Sequence, residues 1–168
     1  MSRVVVIGES GHVGTYLVPR LVSAGFEVVS VSRGERAPYQ PHGAWKFVRT
    51  VTLSREVEEQ AGDFGRKIRE LRPDIVIDMI CFTEASARHL VEALRGQVQH
   101  LLHAGTIWVH GPSVEVPTTE MQPRRPFGEY GIGKAQIEAY LIETARRESF
   151  PATIIHRGLI SWGRVGSL

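Results

Sequence analysis

Short apolar, β-branched runs alternate with longer stretches of helical period along almost the whole chain. Arg3 to Ile7, Glu27 to Val31, Lys46 to Val48, Ile75 to Met79, His100 to His103 and Ala152 to His156 read as strands. Between them, His12 to Ala24, Ser54 to Leu71, Glu84 to Arg95 and Tyr130 to Arg147 read as helices. In the last of these, Ile132, Ala135, Ala139, Ile142 and Ala145 recur at intervals of three and four, which makes one apolar stripe that must face a sheet. Pro73 and Gly96 punctuate two helix ends. Strand and helix in regular succession predict an α/β fold of Rossmann type: a doubly wound parallel sheet with helices on both faces and ligands at the carboxyl ends of its strands. The stretch from Gly111 to Glu129 breaks the pattern and holds four prolines, so it is predicted to be a long functional loop.

Size and charge narrow the possibilities. The 168 residues, 42% of them hydrophobic, suit a single domain over residues 1–168 with a sizeable core. Twenty basic residues against eighteen acidic ones leave a net charge of +2, and the charges are scattered, so no nucleic-acid partner is expected. Cys81 is the sole cysteine, which excludes an internal disulfide and suits a reducing compartment. No apolar run approaches the length of a bilayer span, and the expectation is a cytoplasmic protein with no membrane partner.

The first strand runs into GESGHVG, in which Gly8, Gly11 and Gly14 recur at intervals of three just before a helix. Glycine permits the sharp turn and lets the backbone approach a pyrophosphate, whose charge then meets the open N–H groups of the helix start. Gly8, Ser10, Gly11, His12, Val13 and Gly14 are therefore the expected cofactor contacts. The second strand ends in Ser30-Val31-Ser32-Arg33-Gly34. A guanidinium accepts a 2′-phosphate where a carboxylate would repel it, so Arg33 favours NADP, with NAD as the alternative.

Tyr130 and Lys134 stand four apart, on one face of a helical turn. A cation near the phenol stabilises phenolate and suits the tyrosine to exchange a proton with a substrate hydroxyl or carbonyl. The fifth strand leads to Thr106, 24 residues earlier, whose hydroxyl is expected at the same mouth of the sheet.

Together these segments resemble the extended short-chain dehydrogenase/reductase family, of the NAD(P)-dependent epimerase/dehydratase type. The resemblance rests on GESGHVG, DIVIDMI, AGTIWVHG, TEMQPRRPFGEYGIGK and PATIIHRGLISWG, in that order. It implies Tyr130 as general acid/base, Lys134 as both ligand of the nicotinamide ribose and tuner of Tyr130, and Thr106 as the group that orients the substrate oxygen. The substrate it implies is a small molecule, a sugar nucleotide or related carbinol. Hydride transfer would belong to the nicotinamide. The alternative is a non-catalytic dinucleotide-binding module, a redox sensor or partner-binding domain.

The chain departs from the family pattern in four places. Val51 falls at about the position of an aspartate that contacts adenine, and its side chain accepts no hydrogen bond. His156-Arg157-Gly158 stands where Arg-Pro is usual, and His110 stands where a tyrosine is common. Family members continue into a smaller C-terminal substrate domain, which this chain, ending at Leu168, is expected to lack as a fragment or short form. Leu159 to Trp162 would then be uncovered, and a homo-oligomer is expected. His100, His103 and His110 show no metal-ligand spacing with Cys or carboxylate, so no metal is expected. Cys81 reads as a buried, inert thiol, Asp78 as a carboxylate in apolar surroundings that needs a partner, and Ser54 as a helix N-cap.

Overall fold

The computed structural model describes residues 1–113 and 116–158. Six parallel strands form one sheet in the order β3-β2-β1-β4-β5-β6, with β1 at Arg3–Ile7, β2 at Glu27–Ser32, β3 at Arg49–Thr52, β4 at Ile75–Asp78, β5 at His100–Thr106 and β6 at Ala152–Arg157. The helices are α1 (His12–Ser23), α2 (Arg55–Gln60), α3 (Phe64–Glu70), α4 (Glu84–Leu94) and α5 (Gly128–Glu148). Strand order reverses between β1 and β4, which opens a crevice at the carboxyl ends of those strands.

Alternation along the central strands supplies both faces. Val5, Ile7, Val29, Val31 and Val76 point to the side covered by α3, α4 and α5, where Phe64, Ile68, Leu90, Leu94, Ile137 and Leu141 complete the core. Val4, Val6, Val28 and Ile77 point to the other side, against Val18, Leu17 and Leu21 of α1. Burial on both faces is why these strands read as unbroken apolar runs. The second face thins toward β6, an edge strand whose Ile155 is 48% exposed.

Three boundaries differ from the sequence reading. The helix expected over Ser54 to Leu71 is two helices, α2 and α3, separated by a turn in which Gly62 takes a left-handed φ of +75°. The third strand lies at Arg49–Thr52 instead of Lys46 to Val48: Gly43–Phe47 coils into a 3-10 turn capped by His42, so that Trp45 and Val48 pack toward α1. As a mostly exposed edge, β3 carries no alternation to announce it. The fifth strand continues through Ala104 and Gly105 to Thr106, in register with Ile155, His156 and Arg157 of β6. Ser54 stands at the start of α2, yet its side chain makes no capping bond there; the hydroxyl cap is Thr83, which accepts from Ser86 N–H at the start of α4. Leu159 to Trp162, with the self-association expected of them, lie outside the described residues.

Candidate functional site

The glycine loop joins β1 to α1 by very close packing. Gly8 has φ +87°, and a Cβ there would stand 2.4 Å from Ile80 Cγ2. At Gly14 a Cβ would stand 2.0 Å from the carbonyl oxygen of Glu9, so the first turn of α1 is pressed onto the loop. Gly11 is the N-cap of α1, and no side chain caps it. The positive end of a twelve-residue helix therefore meets the loop with amides that the helix cannot bond internally. Beside this loop lies a cavity of about 1020 Å³. Gly8, Ser10, Gly11 and Arg33 are in its wall, whereas His12, Val13 and Gly14 form the helical turn behind it. Glycine cradle, helix start and cavity together fit a dinucleotide diphosphate.

Arg33 and Arg36 line the end of this cavity next to β2. Arg33 Nη2 pairs with Glu35 Oε2 at 2.9 Å, both side chains being well exposed. Such a surface pair holds little energy, which leaves the guanidinium free to turn toward a ligand anion. Leu53 and Ser54 belong to the cavity wall; Val51 does not, and packs instead against the core beneath. The cavity wall beside β3 is thus formed by the residues just after that strand.

The deep wall is held by an arginine that spacing did not single out. Arg55, 9% exposed, donates from Nη1 to both carboxylate oxygens of Asp78 at 2.8 and 2.9 Å. Its Nε donates to Glu59 at 2.7 Å, and Glu59 in turn accepts from Ser86 Oγ at 2.6 Å. Burial works against the guanidinium charge, but Asp78 and Glu59 more than offset it and hold Arg55 charged. Asp78 has found its partner 23 residues away.

At the other end of the crevice, Thr106 closes β5 and its Oγ1 accepts a hydrogen bond from Trp108 N–H at 3.3 Å. Tyr130 lies in the first turn of α5, 44% exposed, with its ring 6.4 Å from those of Phe82 and Trp108. Lys134, one turn on, is only 1% exposed. Its ammonium donates to Cys81 O at 2.7 Å and Ala104 O at 2.9 Å, and stands 5.0 Å above the Phe82 ring and 6.0 Å from that of Tyr130. Burial lowers its pKa to about 8. Thr106, Tyr130 and Lys134 thus share the carboxyl-end edge of β5, outside the cavity wall; Phe82 links the regions, because it lines the cavity and touches Tyr130.

Two buried clusters escaped the sequence reading. Asp78, Cys81 and His103 bring potential ligand atoms within 4.8 Å of one another, a carboxylate and a thiol beside a histidine that spacing had kept apart. Asp78 is engaged by Arg55, and burial pushes the Cys81 thiol up to about 12 and His103 down to about 4. A neutral thiol flanked by the Arg55 and Lys134 cations is a poor cation site. Behind Thr106, Arg124 donates to Glu138 at 2.7 Å, Glu138 meets His156 Nε2 at 2.6 Å, and His156 Nδ1 meets His110 Nε2 at 3.3 Å. This chain ties the proline-rich loop to α5 and β6. Only His110, standing where a tyrosine is common, hinted at it.

A family model described as the NAD dependent epimerase/dehydratase family matches residues 4–157. The chain belongs to that family. Within it, the chain is 36% identical over 136 residues to a 2′-dehydrokanamycin reductase of Streptomyces kanamyceticus, covering 81% of this chain and 36% of the relative. It is 30% identical over 159 residues to a UDP-glucose 4-epimerase of Streptomyces lividans, covering 82% of this chain and 46% of the relative. The chain therefore spans less than half the length of these family members. Its fold is that of the UDP-glucose 4-epimerase of Thermotoga maritima solved with UDP-glucose, at TM-score 0.75 and 22% identity over 92% of this chain and 54% of that one. The Bifidobacterium longum epimerase solved with NAD+ and UDP gives TM-score 0.76 at 19% identity, over 92% and 52%. No described helix is long and apolar enough to cross a membrane.

Proposed function

We propose that these residues form the dinucleotide-binding half of an NADP-linked oxidoreductase that acts at a carbinol or carbonyl carbon of a sugar-type substrate. The observation that carries this reading is the joining of a glycine cradle to a Tyr130–Lys134 turn along one edge of the sheet, with Phe82 common to both. Ser10, Gly11 and the amides of His12, Val13 and Gly14 would hold the diphosphate, Gly8 would allow its approach, and Arg33 with Arg36 would meet a 2′-phosphate. When bound, the nicotinamide supplies hydride transfer.

The protein's own groups handle the proton and the alignment. Tyr130 gives its phenolic proton to a carbonyl oxygen being reduced, or takes one from a hydroxyl being oxidised. Lys134, lowered to about 8 by burial, is still mostly charged at neutral pH, and its ammonium stands 6.0 Å from the Tyr130 ring centre, where it would hold the ribose of the cofactor close to the phenol. Thr106, with one hydroxyl lone pair engaged by Trp108 N–H, keeps its proton for the substrate oxygen. The reductase and epimerase relatives both support a sugar as substrate. The lone buried thiol supports a reducing, cytoplasmic setting.

The test is Tyr130→Phe. NADPH oxidation with 2′-dehydrokanamycin as probe substrate should fall by about 10²- to 10⁴-fold while NADPH affinity stays within about twofold. Undiminished turnover would remove Tyr130 from the chemistry.

A further inference from the structure

We infer that the aromatic shelf beside Tyr130 is a ring-binding subsite, with Trp108 as its specificity-determining residue. Its occupant is the neutral or cationic ring of a sugar or aminocyclitol. This rests on the reading that Thr106 and Tyr130 hold the reacting carbon.

Trp108 and Phe127 stack with ring centres 4.9 Å apart and planes 17° from parallel. The indole meets Tyr130 edge-on at 6.4 Å, and the Phe82 ring meets Tyr130 tilted by 48°, also at 6.4 Å. Each of the four rings is well exposed. The shelf is delivered by the same two segments that deliver the reactive groups: Trp108 is two residues from Thr106 and hydrogen-bonded to it, and Phe127 is three residues before Tyr130. A substrate carbon held by Thr106 and Tyr130 therefore has these rings as its immediate neighbours.

The chemistry of the faces selects the ring. Aromatic faces are electronegative, so they attract C–H groups and ammonium groups and disfavour anions. Lys134, whose ammonium stands 5.0 Å from the Phe82 ring centre, is engaged by two carbonyls, and Arg124, three residues before Phe127, by Glu138. A saturated glycoside with a C–H face, with or without amino groups, matches this surface better than a diphosphate does.

Saturation-transfer NMR on the NADP+-saturated chain, with kanamycin and UDP-glucose as probes, tests the inference. Kanamycin ring protons should receive saturation, Trp108→Ala should weaken that binding about tenfold, and Trp108→Phe should restore most of it. UDP-glucose should bind more weakly and without dependence on residue 108. Kanamycin binding that is absent, or unchanged in Trp108→Ala with a normal melting temperature, overturns the inference. So does UDP-glucose bound preferentially through Trp108. Failure of the unaltered chain to bind NADP+ at all is a different result, and it removes the underlying reading too.

Discussion

The cavity beside Gly8 is lined mostly by segments that follow directly from a strand, while the shelf around Tyr130 is lined by exposed rings. In the first region the wall is braced from behind. Arg55 holds Asp78 and Glu59, and the glycines are pressed against Ile80 and Glu9. In the second, only the floor is rigid: Lys134 and His103 are buried, and above them Trp108, Phe127 and Tyr130 are each about half uncovered. The contrast suits a ligand shared across a family at one end and a substrate particular to each member at the other. A tight cradle suits a constant diphosphate and an exposed shelf a variable substrate, and the match covers only 36% and 46% of these two relatives.

The sharpest way to break the contrast is to remove the brace. Arg55→Ala leaves the Asp78 carboxylate buried without its partner and should cost about 3–5 kcal/mol of stability, measured by urea unfolding. A cost below about 1 kcal/mol would mean that the cavity wall does not depend on the pair.

The floor of the open region should show itself in acid. His103 ordinarily titrates near 6.5 and burial lowers it to about 4, so between these values the unfolded chain binds a proton that the folded one refuses. Its contribution to stability is complete above pH 6.5 and is lost as the pH falls toward 4, by about 3 kcal/mol at 1.36 per unit. His103→Gln should flatten that part of the stability profile. An unchanged slope would show that His103 is not the group responsible.

The same contrast explains what could be read from the chain directly. The cradle is contiguous: a strand, three glycines and a helix start within fourteen residues report their geometry locally. The parallel sheet was equally legible, because strands such as Val4–Ile7 and Val28–Val31 are apolar on both faces. Arg55 and Asp78 were not paired in advance, since a contact across 23 residues between a helix start and a strand end leaves no periodic trace. The break at Gly62 was hidden inside a polar stretch that reads as helix on both sides. Val51 lies within β3 and outside the cavity wall, whereas Leu53 and Ser54, just after that strand, line it. Tyr130, Lys134 and Thr106 could be named from spacing and resemblance. That Lys134 hydrogen-bonds two carbonyls from a buried position, and that Phe82, Trp108 and Phe127 gather around Tyr130, depends on tertiary packing alone.

The smallest expected effect bears on the central claim, that Gly8 to Gly14 and Arg33 hold a phosphorylated nicotinamide dinucleotide. Calorimetric titration of the chain with NADPH and NADH measures it directly. NADPH should bind more tightly than NADH by about tenfold, a difference of about 1.4 kcal/mol, and Arg33→Ala should erase that preference while leaving NADH affinity unchanged. Equal affinities in the unaltered chain would transfer the cradle to NAD. Heat from neither nucleotide would contradict the cradle itself.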